Sequence, residues 1–426
     1  MTTNGKDANR QKKGIRQFLK KLGPGLITGA SDDDPSGITT YSQAGAQFGF
    51  ATLWTAIITF PLMAAIQEMC ARIGAVTSKG LTGTLRQHYP RWILWVMIIA
   101  SFPAIILNIG ADIAGMGAVS NLIFPAVPAY IFTITFTILI TVCMVFFSYQ
   151  QIAGILKYIC VVLLVYMIVP FLTQTDWLKV IKAIFLPDIR FSKDYIEMLV
   201  AILGTTISPY LFFWQATMEA EELKHNVPKI MVDKHLLSDV KEDVTSGMFF
   251  SNLVMMFIMM TCGNVLFSHG QHKIETVAQA ASALKPVAGE FSYLLFAFGV
   301  IGTGMLAIPV LCGSLSYMFA ETFNWKKGLD KKFYQAKPFY GIIVVSLGIG
   351  LAINYVGVSP VQGLFYTALL YGLTAPLMIL VILHISNNKS IMGQYVNKRW
   401  SNILGWTSFL LMTTAAVFFL YLQFTS

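Results

Sequence analysis

The chain has 426 residues, 55% of them hydrophobic and only 12% charged, with a mean hydropathy of +0.64. A water-soluble domain carries about 25% charged residues, so the composition excludes one and describes a protein that crosses a bilayer many times. The net charge of +9 lies in short loops between apolar spans, which is the pattern of cytoplasmic loops and argues against a nucleic-acid-binding patch.

Residues 1–21 form a polar, basic tail (Lys6, Arg10, Lys12, Lys13, Arg16, Lys20, Lys21) without the apolar core of a cleavable signal. One transmembrane domain, 22–426, follows. A bilayer crossing needs about 20 apolar residues, and such stretches occur at 23–48, 51–75, 92–120, 129–149, 153–173, 195–217, 246–268, 288–319, 339–356, 360–384 and 402–423. The expected class is therefore an all-α membrane protein of eleven spans. Cys70, Cys143, Cys160, Cys262 and Cys312 are scattered through apolar sequence and read as small core residues.

The first span, 23–49, reads GPGLITGASDDDPSGITTYSQAGAQFG. Pro35 lacks an N–H and clashes with the carbonyl four residues back, and Gly37 weakens helix further, so a continuous helix should break here. Three carboxylates, Asp32, Asp33 and Asp34, sit at that break. Each costs at least ~2.5–3.5 kcal/mol in lipid, which is tolerable where a broken helix lines a hydrated cavity or holds a cation. Two readings of Asp34 coexist: a cap for the second half-helix and a cation ligand.

Loop charge sets the expected topology. With the N-terminus inside, the inward loops carry Arg72, Lys79, Arg86 and Arg91, then Lys157, then Lys224, Lys229, Lys234 and Lys241. Lys326, Lys327, Lys331, Lys332 and Lys337 follow, and finally Lys389, Lys398 and Arg399, while the outward segments near 121–128, 356–360 and 423–426 carry no charge. This alternation places the N-terminus in the cytoplasm and the C-terminus outside. Eleven spans fit two inverted five-helix repeats, about 22–173 and 195–384, plus an extra helix at 402–423. The sixth span supports the repeat: Leu203–Gln215 reads LGTTISPYLFFWQ, with Pro209 in the place Pro35 holds in the first half.

These residues resemble the natural resistance-associated macrophage protein (NRAMP) family of divalent-metal transporters. Gly23, Pro24, Asp34, Pro35, Gln43, Ala44 and Gly45 are similar to its GP…DPGN…QAG signature. Gln67 and Ala71–Thr77 resemble its QSLSARLGVVT stretch, Ala111-Asp112-Ile113-Ala114 its ATDLAE, and Lys389–Asn397 the segment before its last helix. The resemblance implies a LeuT-like fold of the APC superfamily, with broken first and sixth helices holding metal between them and alternating access to it.

Departures from the pattern bear on the ion. Asp34 keeps the family's helix 1 aspartate, but Gly37 stands in place of the asparagine. In the sixth span Thr205, Ser208 and Tyr210 replace the alanine, methionine and histidine of A-x-x-M-P-H; Gln215 replaces a further histidine, Gly115 the acidic residue of ATDLAE, and Ala368 a tenth-span glutamine. Loss of the thioether removes the soft donor that favours transition metals, leaving oxygen donors that suit Mg²⁺, Ca²⁺ and Mn²⁺. Candidate metal-holding residues are Asp34, Asp33, Ser36, Gly37, Thr205, Thr206, Ser208 and Tyr210. Such a set suits a partly hydrated ion such as Mg²⁺, and it resembles the NRAMP-related magnesium transporter branch. Tyr210, Gln215 and Gly115 do not titrate near neutral pH, so proton coupling is expected to be weak or absent, with Asp112 and Gln215 as the remaining polar pathway.

Blander roles compete for several residues. Thr206 and Ser208 are ordinary packing hydroxyls in many membrane helices, Tyr210 reads as a packing aromatic, and Asn108 and Asn252 as interhelical hydrogen-bonding residues. Glu219, Glu221 and Glu222 read as a solvated helix end. No histidine pair has metal-ligand spacing. Two alternatives keep the scaffold: a proton-coupled Mn²⁺/Fe²⁺ importer, and a sodium-coupled amino-acid symporter, disfavoured because three carboxylates would repel a substrate carboxylate. The sequence lacks GxSxG and HExxH and reads as no enzyme. It calls for no cofactor: the metal is cargo, the partners are divalent ions and the lipid of a bacterial plasma membrane, and a monomer is compatible with all of it.

Overall fold

A computed structural model describes residues 24–147, 151, 154, 163, 165–226 and 233–425. The basic tail, and residues 153, 155–162 and 164 of the fifth span expected at 153–173, lie outside the described residues. The described chain is helical. The first span is two helices, α1 (Pro24–Asp32) and α2 (Pro35–Phe48). Then come α3 (Trp54–Thr77), α4 (Leu81–His88), α5 (Arg91–Ile123), α6 (Ala129–Phe146), α7 (Val165–Leu172) and α8 (Trp177–Phe185). The sixth span is again two helices, α9 (Lys193–Thr206) and α10 (Pro209–Asn226). After them run α11 (Lys234–Val265), α12 (Val277–Ser282), α13 (Lys285–Ala288), α14 (Ser292–Phe323), α15 (Lys337–Ile353), α16 (Pro360–Asn387), α17 (Lys389–Met392) and α18 (Arg399–Thr425). Among the described residues eight helical stretches are long and apolar enough to cross a membrane, and α15 is a shorter apolar helix.

Both breaks fall where expected, and each new half-helix starts on its proline. Proline alone does not explain this, because Pro61, Pro103, Pro309 and Pro376 lie inside continuous helices. Those prolines follow Phe60, Phe102, Ile308 and Ala375, which offer no polar group to a freed helix end. Pro35 follows Asp34, whose Oδ1 accepts from the Gly37 N–H at 2.7 Å and caps α2. Pro209 follows Ser208, whose hydroxyl lies 2.6 Å from the Thr205 carbonyl and 3.2 Å from that of Gly204, at the end of α9. A capping residue before the proline turns a tolerated kink into a true interruption.

Several boundaries shift outward from the apolar spans. The seventh helix begins at Lys234, well before residue 246, because Asp233 accepts the Leu236 N–H at 2.8 Å and starts a polar turn outside the apolar stretch. The segment 174–194, which carries both basic and acidic residues, contains α8, whose N-terminus Asp176 caps through the Lys179 N–H. Between α3 and α5, the short α4 is tied down by Glu321 of α14, whose carboxylate accepts from the Gly80 and Gly83 N–H groups at 3.0 and 2.6 Å.

The broken helices sit in the interior. Half-helix α2 packs on α11, α16 and α9; α1 packs on α11 and α10; and α9 packs on α16. Glycines permit the closest approaches. A Cβ at Gly204 would lie 2.1 Å from the Ala368 carbonyl oxygen and 2.2 Å from the Gly372 nitrogen. Both obstacles are backbone, so neither can swing aside. Gly204→Ala is expected to destabilise the protein by about 3 kcal/mol, read as a lowered thermal midpoint in detergent; an unchanged midpoint would refute this packing.

Candidate metal-ion site

The first break holds its acidic residues away from solvent: Asp32, Asp33, Asp34 and Asp112 are 1%, 4%, 2% and 0% exposed. Among the described residues none of the four has a lysine, arginine or histidine within ion-pair distance. A buried carboxylate without a counter-charge is expensive, so this pocket of negative charge is unfinished without a cation or protons.

Asp34 is the hub. Its Oδ1 is engaged by Gly37, and its Oδ2 accepts from the Asn108 amide of α5 at 2.9 Å. Asp112 follows Asn108 by four residues, so both share one face of α5. That face points at the break: a Cβ on Gly115, the next position along it, would lie 3.7 Å from Pro35 Cβ and 3.3 Å from Leu364 Cδ1. Both carboxylate oxygens of Asp112 are buried and accept no hydrogen bond, as is the Oδ1 of Asn108. Tyr371 of α16 closes another side. Its ring lies 5.7 Å from that of Tyr210, and its buried hydroxyl likewise lacks a hydrogen-bond partner.

The sequence-derived candidates divide by what their polar atoms do. Ser36 donates to the Leu364 carbonyl at 2.9 Å and ties α2 to α16. Gly37 acts through its N–H as the cap donor to Asp34. Thr206 donates to the Ile202 carbonyl at 2.7 Å and meets the Tyr41 hydroxyl at 3.0 Å. Ser208 closes the end of α9, with the Thr205 carbonyl as its acceptor. Tyr210 donates to the Ser31 carbonyl at 2.9 Å, latching α10 to the end of α1. Each of these sixth-span hydroxyls gives its hydrogen to a backbone carbonyl and keeps its oxygen lone pairs.

Asp33 lies on a different side, toward α11. Ser251 is 2.8 Å from Asp32 Oδ2 and 3.4 Å from Asp33 Oδ1; one hydroxyl hydrogen cannot serve both carboxylates. Gln215 looks toward α1, accepting from Thr28 at 2.5 Å and reaching Glu219 at 3.5 Å. The solvated helix end expected at 219–222 is therefore corrected at its first residue. Glu219 is buried, because α10 continues past the apolar stretch and carries it one turn below Gln215. Glu221 accepts from the Tyr317 hydroxyl at 2.6 Å.

Asn108, Tyr371 and Ser251 are the residues that sequence reasoning did not place at the break. The spacing of Asn108 to Asp112 was the available signal; Tyr371 and Ser251 had none, since their approach depends on how α16 and α11 pack. Among the described residues no three His, Cys, Asp or Glu side chains converge as a metal-holding group, so a site here rests on carboxylates supplemented by neutral oxygens. Beyond the break, a cavity of about 270 Å³ is lined by Thr39, Gln43 and Gln47 on one face of α2, with Asp194, Glu197 and Lys273 opposite.

Comparison with known proteins agrees with this architecture. Divalent metal cation transporter MntH of Caldanaerobacter subterraneus is 24% identical over 405 residues, covering 92% of this chain and 90% of that one. The MntH of Bacillus subtilis is 22% identical over 411 residues, covering 95% and 93%. Among solved structures, the Eremococcus coleocola manganese transporter superposes with a TM-score of 0.74 at 17% identity, over 95% of this chain and 86% of that one. Mhp1, a nucleobase-cation-symport-1 family transporter, gives 0.58 at 12%, over 94% and 92%. The fold is LeuT-like. With the natural resistance-associated macrophage protein-like profile matching residues 25–422, the chain belongs to that family.

Proposed function

We propose that this protein carries divalent metal ions across the membrane by alternating access, with a preference for the hard ions Mg²⁺ and Mn²⁺ and without obligatory proton coupling. The observation that carries the reading is the buried carboxylate of Asp34 at a helix break, beside Asp112 and without a basic partner. The relatives bear the name of divalent metal cation transporters, and the family is one of transporters, which speaks against an enzyme. The hard-ion preference rests on the donors: Asp34, Asp112 and their neighbours offer oxygen, and Ser208 and Tyr210 occupy the places of a thioether and an imidazole.

Each residue has a task in this reading. Asp34 supplies the charge that draws the ion to the break, and the α2 cap holds its carboxylate in place. The cavity along Thr39, Gln43 and Gln47 offers a polar approach, and Asp194 and Glu197 favour cations there. On the cytoplasmic side Gln215, Glu219 and Asp243 flank α1, giving a departing cation acidic partners once α1 moves. We place eleven crossings in the plasma membrane of a bacterium, with the two broken helices in corresponding positions of an inverted repeat and the N-terminus in the cytoplasm. An inside-negative potential of 100 mV then favours uptake of a divalent ion by about 4.6 kcal/mol, from ~2.3 per charge.

The competing reading, a proton-coupled Mn²⁺ importer, is favoured by the manganese transporter among its structural neighbours and by Asp112, which stays titratable beside the site. Proteoliposomes loaded with a metal dye and a pH dye separate the two. We expect Mg²⁺ and Mn²⁺ to enter without internal acidification and Cd²⁺ to enter poorly. Acidification that scales with Mn²⁺ influx would establish the coupled reading instead.

A further inference from the structure

We infer that Asn108, on α5, supplies a ligand oxygen to the transported ion, so that the ion is held between the first break and α5 and the amide missing at Gly37 is replaced from another helix. The inference deepens the proposed function and rests on it.

The buried oxygens around the break differ in their partners. In the sixth span the hydroxyls of Thr206, Ser208 and Tyr210 all have backbone acceptors. On α5, Asn108 Oδ1 and both oxygens of Asp112 are fully buried and accept no hydrogen bond of normal geometry, the nearby donors being the Tyr371 hydroxyl and the Ser36 N–H. Unsatisfied buried oxygens cost about 1–3 kcal/mol each, and three on one helix face call for a common partner. A cation fits that place, because all three atoms are Lewis bases.

The orientation of the Asn108 amide is fixed by its neighbour. A carboxylate accepts and cannot donate, so the NH₂ group faces Asp34 Oδ2 at 2.9 Å and the carbonyl is turned to the other side. Asn108 thus grips the principal carboxylate with one end and offers an oxygen with the other. Asp112, one helical turn on, presents its unpaired carboxylate on the same face. The Tyr371 hydroxyl lies beside Asn108, outside normal hydrogen-bond geometry, and adds a further neutral oxygen to the group. Two carboxylates and neutral oxygens, with water in the remaining positions, are the donors hard divalent ions take.

The test uses the full-length purified protein and Mn²⁺ alone. Asn108→Leu keeps the volume but removes both ends of the amide; Asn108→Asp keeps an oxygen at the Oδ1 position and removes the donor to Asp34. We expect Asn108→Leu to weaken equilibrium Mn²⁺ binding at least tenfold, and Asn108→Asp to bind within about threefold of wild type. Wild-type affinity in Asn108→Leu overturns the inference. Equal weakening in both variants overturns it too, because it makes Asn108 only a holder of Asp34. Loss of binding in Asp34→Ala with none in Asn108→Leu leaves the proposed function standing without this ligand; no Mn²⁺ binding by the wild type removes both. Should Asn108→Leu not fold, electron–nuclear double resonance on the wild type labelled with ¹³C-carboxamide asparagine decides. A ¹³C coupling to bound Mn²⁺ supports ligation, and its absence overturns it.

Discussion

Asp34→Ala is expected to reduce Mg²⁺ and Mn²⁺ flux in proteoliposomes at least about a hundredfold, the upper range for loss of a group that holds a metal. Asp34 unites the cap of α2, the amide of Asn108 and the charge that faces the ion. Loss of the cap costs about 1 kcal/mol, and the buried Asn108 donor left unpaired costs about 1–3 more. The variant should therefore still fold, with a lower thermal midpoint. Asp34→Asn separates the two roles, since an asparagine still caps the helix but carries no charge. We expect Asp34→Asn to melt near the wild type and to transport as poorly as Asp34→Ala. Full transport by Asp34→Asn would reduce Asp34 to a capping residue.

Gly29→Val should be equally severe for transport, through a different cause. A Cβ at Gly29 would lie 2.3 Å from the Gly247 carbonyl oxygen, and one at Gly25 would lie 2.6 Å from the Val244 nitrogen. Half-helix α1 therefore lies against α11 backbone to backbone, and Asp243 draws its first turn in by accepting the Gly25 N–H at 2.6 Å. A valine cannot fit without pushing α1 away. Overpacking of this kind costs about 1–3 kcal/mol, which at 1.4 kcal/mol per decade shifts a local opening equilibrium by about five- to 140-fold. Hydrogen–deuterium exchange should then accelerate by that factor over 24–32 and stay unchanged over 35–48, while flux stops because α1 no longer seats against α11. Unaltered exchange in α1 would show that it does not form this closure.

Much of the architecture was legible in the sequence because lipid imposes simple rules. Apolar length marked the spans, and buried carboxylates beside Pro35 and a polar cluster beside Pro209 marked the two interruptions. What distinguished these prolines from Pro61 or Pro309 was also present in the chain, in the capping residues Asp34 and Ser208, but it emerged only once the continuous helices were seen. The helix at 234–245 was missed because hydropathy is blind to a polar helix that leaves the membrane. The site was half legible. Asp34 and Asp112 are conspicuous as carboxylates in apolar sequence, whereas the free oxygens of Asn108 and Tyr371 depend on which hydroxyls the backbone has already claimed. Hydroxyl-bearing residues such as Thr206 and Ser208 are equally able to serve a helix end or an ion, and their sequence does not say which.

We place a divalent cation at the first helix break, against Asp34. Anomalous diffraction from crystals soaked in Mn²⁺ measures this directly. We expect a single strong peak within coordination distance, about 2.0–2.6 Å, of an Asp34 carboxylate oxygen. A protein that binds Mn²⁺ in solution yet places that peak elsewhere, with Asp34 engaged only by Gly37 and Asn108, would contradict it.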